Sequence, residues 1–280
     1  MSLVLGINAY HGDSSAAVCN ESGVLAAVEE ERFNRIKHWA RFPKEAIASC
    51  VSDRLVEHIA ISRNPKAKLL AKAIRTTGRP QDWHRLADRA KNSLVISQIG
   101  RELKNLQSKY IRATKPIFVE HHRAHLASAF FPSPYDRAVV VSIDGFGDFS
   151  SVMWGTGTGN AIDIDGSVSY HHSLGVFYTA FTQFLGFLNY VDEYKMMGLG
   201  AYGKPTLAGK VRDVVRVEGD QVRLNLKYFT HHTSGVEMTW DGGSPLLGVV
   251  YSEHMIKEFG SPRTRETEIS EYHADLACSV

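Results

Sequence analysis

The spacing of apolar and polar residues predicts a β-meander at the start of the chain. Three mainly apolar runs are separated by short polar turns at 11–15 and 21–23, and turns of this composition connect neighbouring strands. The predicted strands are residues 3–10, 16–20 and 24–29. Two further runs then predict a short helix and a buried strand. They are residues 43–52 and 58–62.

A second meander of the same kind is predicted in the other half of the chain. A nearly all-apolar run at 138–144 is followed, after glycine-rich turns, by strand-like runs at 150–155 and 161–165. Its first turn resembles that of the first meander, with Gly-Asp-Phe-Ser-Ser against Gly-Asp-Ser-Ser. A repeated meander followed by helices is typical of the duplicated α/β fold with mixed sheets that actin, the heat-shock chaperones and the sugar kinases share (the ASKHA fold). Two unrelated meanders are the alternative.

The repeat divides the chain into two predicted lobes, residues 1–137 and 138–280, which face a cleft. The first hairpin turn of each lobe would then point backbone N–H groups at a phosphate chain. Farther along, 211–217 and 221–226 predict a hairpin. Residues 271–280 have a helical pattern without a capping glycine or a proline stop. We therefore expect the second lobe to be incomplete and the chain to be part of a longer protein.

Segment 65–112 has its own composition. It carries 12 Lys and Arg against three acids, a local net charge of +9, and its leucines and isoleucines have roughly helical spacing. One interpretation is a basic helical insert that binds RNA or a partner, with Trp83 and Tyr110 as stacking groups. The other is a solvated helical pair that covers a sheet, and we favour it because a charge run is usually a solvated face.

Bulk composition limits the function classes. The 280 residues carry a net charge of +2, so nothing in the overall charge calls for a nucleic acid or membrane partner. No apolar run has the length of a transmembrane helix, and no signal-peptide pattern follows Met1. The three cysteines lie far apart without CxxC spacing, which argues against a disulfide framework or a zinc ribbon and suits a reducing cytoplasm.

Two histidines and an aspartate are the strongest candidates for chemistry. His121 and His125 are four residues apart on a predicted helix, so they share one face and could hold one metal ion. With 13 histidines in the chain, one such pair is expected by chance, but this pair lies between the predicted strands 116–119 and 138–144. Asp144 closes the second of those strands, where a carboxylate usually holds a metal or a phosphate-bound water. We expect His122 to be an orienting or a surface histidine.

The glycine turns of both meanders are candidate phosphate sites. In Asp144-Gly-Phe-Gly147, Gly145 and Gly147 would let the backbone come close to phosphate oxygens. The corresponding turn of the first meander holds His11, which could contact a phosphate or a carbonyl group. A plain turn and a solvated histidine are the alternatives.

Two other stretches have chemical potential. Lys37 follows an acidic cluster at 29–31 and could neutralise a nucleotide phosphate, although a surface lysine is the simpler interpretation. Segment 192–203 has several glycines, a lysine and two acids between apolar blocks. It is either a helix end followed by a loop or a ligand-lining loop whose acids accept hydrogen bonds from an acceptor substrate.

Taken in order, these blocks resemble the N-terminal domain of the O-carbamoyltransferases of the nodulation and antibiotic-tailoring type. That domain is itself similar to the tRNA threonylcarbamoyl transferase. Segment 65–112 is outside the resemblance, and Gly200 stands where the common pattern has alanine, which we interpret as a mild change in loop shape. The matching blocks are Gly6-Ile-Asn, His11, Asp13-Ser-Ser-Ala-Ala17, Glu29-Glu-Glu-Arg-Phe33, Lys37-His38, His121-His-Arg-Ala-His-Leu-Ala-Ser-Ala129, Ser142-Ile-Asp-Gly-Phe-Gly-Asp148, Ser173-Leu-Gly-Val-Phe-Tyr178, Lys195-Met-Met-Gly-Leu-Gly-Ala-Tyr-Gly-Lys-Pro205 and Phe259-Gly-Ser-Pro-Arg263.

The resemblance implies a reaction in two stages. In full-length members a C-terminal YrdC-like domain makes carbamoyl-adenylate from carbamoyl phosphate and ATP. The N-terminal domain then transfers the carbamoyl group to a hydroxyl of a sugar, an antibiotic or another small molecule. The YrdC-like domain, a further aspartate ligand and a glycine-rich adenosine-binding segment are not in this chain, so we expect the chain alone to be inactive.

The resemblance also implies roles for individual residues. His121, His125 and Asp144 would hold Fe²⁺ or another divalent metal, and His11 would be catalytic. Asn8 and Asp192 would bind the acceptor. The residues implied in binding the nucleotide or carbamoyl-adenylate are Lys37, Gly145, Gly147, Lys195 and Gly198.

Two alternative functions stay open. One is a tRNA threonylcarbamoyl transferase, which shares the two-histidine site and for which a basic segment at 65–112 would suit RNA. The blocks at 192–204 and 259–263 favour the small-molecule enzymes instead, so we do not expect a nucleic acid partner. The other alternative is a non-catalytic, actin-like ATP-binding module, which would use magnesium rather than histidine-held iron.

Overall fold

The first part of the chain forms a five-stranded mixed sheet. The computed structural model describes residues 2–64, 67, 98–106, 111–112, 115–236, 238–239 and 241–280. In the sheet order β3-β2-β1-β4-β5, β2 is antiparallel to β1 and β3, whereas β4 is parallel to β1 and β5. The strands are β1 (Val4–Asn8), β2 (Ser15–Asn20), β3 (Gly23–Glu29), β4 (His58–Ile61) and β5 (Ile117–Phe118).

Alternating apolar residues explain this sheet. Leu5 and Ile7 of β1 and Val18 of β2 point to one face and are almost fully buried. That face packs against α2 (Lys44–Val51), which presents Ile47 and smaller apolar side chains to it. The parallel strand β4 adds Ile59 and Ile61 to the same core. The helices of this part are α1 (Glu31–Asn34), α2 and the helical residues 98–105 (α3).

The second meander forms a separate three-stranded antiparallel sheet in the order β6-β7-β8. Its strands are β6 (Arg137–Gly147), β7 (Ser150–Thr158) and β8 (Ala161–Ser169). One face is covered by α4 (His121–Phe130), whose Leu126 and Phe130 pack on Val140 and Met153. On the opposite face of β6, Val139, Val141 and Ile143 are 78%, 55% and 58% exposed.

The remainder is mainly helical around a third core. Large apolar side chains of α5 and α6 meet the terminal helix in this core, including Phe181, Phe184, Met196 and Leu276. Two small hairpins lie at its margin, β9 (Val215–Glu218) with β10 (Gln221–Leu224), and β11 (Met238–Thr239) with β12 (Leu246–Leu247). The helices are α5 (Leu174–Phe184), α6 (Glu193–Gly200), α7 (Ala208–Val214), α8 (His231–Ser234), α9 (Glu253–Phe259) and α10 (Glu271–Ser279), with 3₁₀ turns at Leu226–Tyr228 and Asp241–Gly243.

The chain is therefore an α/β protein, as predicted, and both meanders and the terminal helix are confirmed. The predicted strand 211–217 is partly wrong. Residues 211–214 end α7, because Val211 and Val214 are three apart and bury one face of that short helix.

The basic segment 65–112 lies mostly outside the described residues. Within the described residues, no helix combines the length and apolar character needed to cross a bilayer.

Candidate metal centre

The start of α4 is held by a carboxylate from the second sheet. One oxygen of Asp148, Oδ2, accepts hydrogen bonds from the backbone N–H groups of His121 at 2.9 Å and Asn64 at 2.7 Å. Glu120, the residue before the helix, makes no side-chain cap. The first N–H groups of a helix have no partner inside it and favour negative charge, so Asp148 supplies a cap from a distant part of the chain. This bond ties His121 to the end of β6.

Three predicted ligands converge at this point. His121 Nε2 lies 2.6 Å from Asp144 Oδ2, and His125 Nε2 lies 3.0 Å from His121 Nε2 and 3.7 Å from Asp144 Oδ2. One helical turn separates the histidines, while Asp144 comes from β6. Metal–ligand bonds of about 2.1 Å place neighbouring ligand atoms about 3.0–3.4 Å apart, close to this spacing. Two histidines and a carboxylate also form the donor set typical of non-haem iron, so these residues fit a divalent metal.

The surroundings of Asp144 stabilise its ionised carboxylate. Burial by itself would raise the pKa of Asp144, but hydrogen bonds from His121 and His125 outweigh it and hold that pKa well below its usual range. Its other oxygen, Oδ1, accepts from the N–H of Gly145 at 2.6 Å. The Ser173 hydroxyl donates to the backbone carbonyl groups of Asp144 and Gly145, at 3.1 and 2.6 Å. The start of α5 thus fixes the backbone that carries this carboxylate.

The two glycines beside Asp144 are not in a turn, contrary to the prediction. They lie inside β6, and the chain reverses at Asp148 and Phe149, whose φ angles are 50° and 75°. A Cβ at Gly147 would overlap the His121 ring, whereas a Cβ at Gly145 would meet no atom within 4 Å. Gly147 therefore makes room for a histidine ring. The role of both glycines in nucleotide binding stays a prediction.

His11 lies beside these ligands. Its ring centroid is 5.3 Å from that of His121, and its Nδ1 is 3.3 Å from the carbonyl oxygen of Gly12. Because a carbonyl group only accepts, this contact places the proton of a neutral His11 on Nδ1 and leaves Nε2 as the basic atom. Burial, and then the charges of His121 and Arg63, lower the pKa of His11. The imidazole is consequently neutral near pH 7.

His122 is an orienting rather than a surface residue. It is fully buried, and its Nδ1 lies 2.8 Å from the hydroxyl of Ser142 in β6. Its ring also packs edge-on against His121, with centroids 5.5 Å apart. This contact fastens α4 to the second sheet next to the metal ligands.

Asn8 supports the turn that holds His11. Its amide nitrogen lies 3.3 Å from the carbonyl oxygen of Gly12 and 3.2 Å from that of Asp13, and its oxygen accepts from Ser62. A cavity of about 70 Å³ opens here. It is lined by Asn8, Ala9, His11, Ser62, Arg63, His121, Phe146, Gly147 and Asp148.

A larger cavity of about 230 Å³ brings together three other predicted residues, Lys37, Asp192 and Lys195. Asp192 is buried, with Oδ1 2.6 Å from Lys195 Nζ and Oδ2 accepting from both the backbone and the side-chain nitrogen of Asn189. Its oxygens are thus already engaged. Also lining the cavity are His38, Asn189, Tyr190, Tyr194, Ser244, Pro245 and Leu246.

The backbone around Lys37 is anchored by acids. His38 Nδ1 lies 2.8 Å from Asp13 Oδ1, and the His38 N–H donates to Glu31 Oε2 at 2.8 Å. Both acids are therefore partnered, and the cluster holds the first meander against the segment that carries Lys37. The lysine side chain itself is exposed at the cavity.

Segment 192–203 is mainly the helix α6 followed by a turn, so the interpretation as a helix end followed by a loop is confirmed. Asp192, Tyr194 and Lys195 at its start nevertheless line the larger cavity. Glycines in the segment allow helix packing: a Cβ at Gly200 would come within 3.2 Å of the Ala277 carbonyl oxygen, and Gly203 lies against Ala274 of α10. Gly198 has open space around its Cα and does not line either described cavity. Its nucleotide-binding role stays a prediction.

Sequence reasoning missed Tyr190. Its ring covers Gly12, where a Cβ would come within 2.5 Å of the phenol oxygen. Burial, followed by the charges of Asp13 and Asp144, raises the pKa of Tyr190, so its hydroxyl stays protonated. The next residue, Val191, has a φ of 65°, which a β-branched residue rarely adopts. No local pattern indicates this tyrosine, since only the fold places it at the wall of the larger cavity, against Gly12.

Sequence reasoning also missed Arg63 and Asp148. Asp148 ends the block Asp144–Asp148, and its position directly after an apolar strand was an available signal. Arg63 follows β4 in the same way, at the carboxyl end of a parallel strand. Ligand-binding residues collect at such strand ends in α/β sheets.

Comparison with known proteins shows the family of the chain. A family model described as Carbamoyltransferase N-terminus matches residues 3–242. The uncharacterized protein sll1178 of Synechocystis sp. is 32% identical over 299 residues, which cover 100% of this chain and 46% of that protein. The nodulation protein NolNO of Sinorhizobium fredii is 30% identical over 208 residues, covering 71% of this chain and 29% of that protein. The chain thus spans about half the length of these relatives or less.

A second nodulation protein, NolO of Bradyrhizobium diazoefficiens, is 42% identical over 87 residues, covering 31% of this chain and 16% of that protein. The family model spans most of the chain and includes His11, His121, His125 and Asp144. This chain therefore belongs to the carbamoyltransferase family, whose N-terminal part it matches.

Proposed function

We propose that the chain carries the transfer site of an O-carbamoyltransferase. In this proposal the carbamoyl group of carbamoyl-adenylate, which is made from carbamoyl phosphate and ATP, passes to a hydroxyl of a sugar, an antibiotic or another small molecule. The observation that carries the proposal is the convergence of His121, His125 and Asp144 beside the neutral His11, in a chain of this family.

The three converging residues would hold Fe²⁺ or another divalent metal. Such a metal supplies a Lewis acid that neutralises charge on phosphate oxygens. The protein's own contribution is to keep the ligands in place: Asp148 binds the start of α4, and Ser173 binds the backbone at Asp144. Supporting groups of this kind orient metal ligands and are needed for full affinity.

His11 would act as the base. The acceptor oxygen attacks the carbamoyl carbon, the bond from that carbon to the phosphate oxygen breaks, and AMP leaves with the electron pair. His11 Nε2 takes the proton of the acceptor hydroxyl, which its neutral state and its tautomer allow. A neutral imidazole can accept a proton near pH 7, which a general base must do.

The larger cavity would hold those parts of the nucleotide donor and of the hydroxyl acceptor that lie away from the reacting atoms. Lys37 and Lys195 line this cavity and would bind the nucleotide by attracting its negative charge toward the site. Asp192 would contribute to acceptor binding by fixing Lys195 and Asn189, whose hydrogen bonds it accepts. Asn8 would contribute to acceptor binding by holding the turn at 8–13. The cavity is smaller than the roughly 300 Å³ typical of sites that enclose drug-sized ligands, so it suits one part of a substrate.

The two sheets would be the halves of a duplicated ASKHA fold. Each begins with an antiparallel meander, and in the first half the free edge of β1 is taken by the parallel strand β4. Among the described residues, β6 pairs only with β7, so the matching edge of the second half is open. We propose that residues 1–137 and 138–280 are the two lobes, the second one incomplete, and that a C-terminal YrdC-like domain of a longer protein supplies carbamoyl-adenylate.

The test is His121→Ala. Loss of the His121 imidazole should reduce the iron bound to the purified chain to background, as measured by atomic emission. In the full-length protein it should abolish transfer from ¹⁴C-carbamoyl phosphate. His58→Ala, in an exposed position of β4, is the matched control and should change neither quantity. Full metal content and unchanged transfer in the His121 variant would rule out this function for the site.

A further inference from the structure

Arg63 carries a charge that the proposed mechanism does not use. It follows β4, is only partly exposed, and lines the cavity of about 70 Å³ together with His11 and His121. Burial lowers the pKa of Arg63, and the nearby carboxylate of Asp148 opposes that shift. A guanidinium stays charged in proteins even so. The molecule thus keeps a cation beside the candidate metal ligands, in a place where charge is costly.

The one charge that acts on the Arg63 guanidinium among the described residues is the carboxylate of Asp148. Within the described part of the chain the guanidinium makes no hydrogen bond or ion pair, although it has five N–H donors. That carboxylate is already engaged, because its Oδ2 accepts from the N–H groups of His121 and Asn64. Buried charges are normally paired, so the donors of Arg63 indicate a ligand.

The size of the cavity restricts that ligand. About 70 Å³ is room for roughly two water molecules, whose share of liquid volume is about 30 Å³ each, or for one small oxyanion. The planar fork of a guanidinium matches two oxygens of one phosphate group. The negative charges of Asp144 and Asp148 act against an anion here, so Arg63 is the group that must compensate for them when no metal is bound.

We propose that Arg63 is the oxyanion-binding residue of this site and holds the phosphoryl group of the carbamoyl donor in the small cavity beside His11. The identity of that donor rests on the proposed function. The binding itself does not, because a phosphate group can be bound whether or not transfer follows. Arg63 therefore touches the donor, while Lys37 and Lys195 lie on the larger cavity.

The experiment measures binding of inorganic phosphate and of AMP to the chelator-treated chain by isothermal titration calorimetry. Arg63→Gln should weaken both about tenfold or more, because it removes a charged, two-pronged contact. Arg63→Lys should weaken them less, since the charge stays and the fork is lost. Arg41→Gln is the matched control, because Arg41 packs over Trp39, and it should leave both affinities unchanged.

Wild-type protein gives an independent measurement if a variant does not fold. Phosphate should shift the Nε–Hε resonance of Arg63, which is identified by its absence in the Arg63→Lys spectrum. Unchanged phosphate affinity in folded Arg63→Gln, or no shift of that resonance at saturation, overturns the proposal. Loss of phosphate binding with AMP binding intact overturns the assignment to the phosphoryl group of an adenylate. Failure of carbamoyl transfer with Arg63-dependent binding would count against the proposed function alone.

Discussion

Gly147 lies directly against the ring of His121, and this contact is the reason that a glycine is needed there. The His121 ring occupies the space that a side chain at this position would take, and the same ring carries the nitrogen nearest Asp144. A methyl group here must push the imidazole away from its partners. In protein sites a displacement of about 1 Å is enough to disturb metal binding or catalysis.

Gly147→Ala should therefore lower metal affinity roughly 10- to 100-fold, the range found when groups that orient ligands are disturbed. The measurement is a competition titration against a chelating dye. Gly145→Ala is the matched control, because open space surrounds a Cβ there and its affinity should stay close to that of the wild type. Equal affinities for the two variants would show that the His121 ring is not held by this contact.

At the scale of elements, the β8–α5 connection is fastened through a histidine. His172 Nδ1 accepts a hydrogen bond from the N–H of Leu224 at the end of β10, at 3.1 Å. The Ser151 hydroxyl donates to the carbonyl oxygen of His172 at 2.6 Å. These bonds join the second sheet to the small hairpin. The bond from Leu224 needs the neutral ring, because a protonated Nδ1 cannot accept.

Burial, and then the positive charge of Arg223, lower the pKa of His172 in the folded chain. The unfolded chain has the ordinary histidine pKa of about 6.5 and takes up a proton first as the pH falls. The contribution of His172 to the free energy of unfolding is thus complete above about pH 6.5 and decreases from there toward the folded pKa. Urea denaturation should show a smaller loss of stability between about pH 7.5 and about pH 5.5 for His172→Asn, which keeps an acceptor but does not titrate. An identical pH dependence in both proteins would contradict this account.

At the scale of the whole molecule, charge is unevenly distributed. Segment 65–112 carries +9 and the chain +2, so the rest of the chain carries +2 minus +9, or −7. A basic segment on an acidic molecule binds nucleic acid at low salt, but the attraction weakens steeply as salt rises.

We expect no saturable retention of tRNA by the chain in a filter-binding assay at about 150 mM salt. The physical reason is that a solvated charge run without specific base contacts loses its counterion-driven affinity at this ionic strength. A deletion of 68–97 is the matched comparison at low salt, where it should reduce retention. Tight, saturable tRNA binding at physiological salt would favour the tRNA-modifying alternative.

Much of the fold could be predicted because apolar patterns report local structure directly. Both meanders, α2 and β4 follow from the spacing of apolar residues, and only the ends of these elements differ. The errors occur where tertiary contacts override local signals. A glycine-rich stretch at Asp144–Gly147 looks like a turn, but β6 runs on through an irregularity there and pairs again at Gly147 with Ser150. The chain reverses only at Asp148 and Phe149. Likewise, contacts with α10 make 193–200 helical in spite of its glycines.

The candidate site divides in the same way. Spacing four apart on a helix, and an acid at a strand end, are properties of the sequence alone, and they made His121, His125 and Asp144 candidates for one site. The positions of Arg63, Asp148 and Tyr190 follow from the packing of sheets and helices far apart in sequence. A side chain becomes a cap, a cavity wall or an anion-binding group only through neighbours that the folded chain supplies, and no local pattern encodes those neighbours.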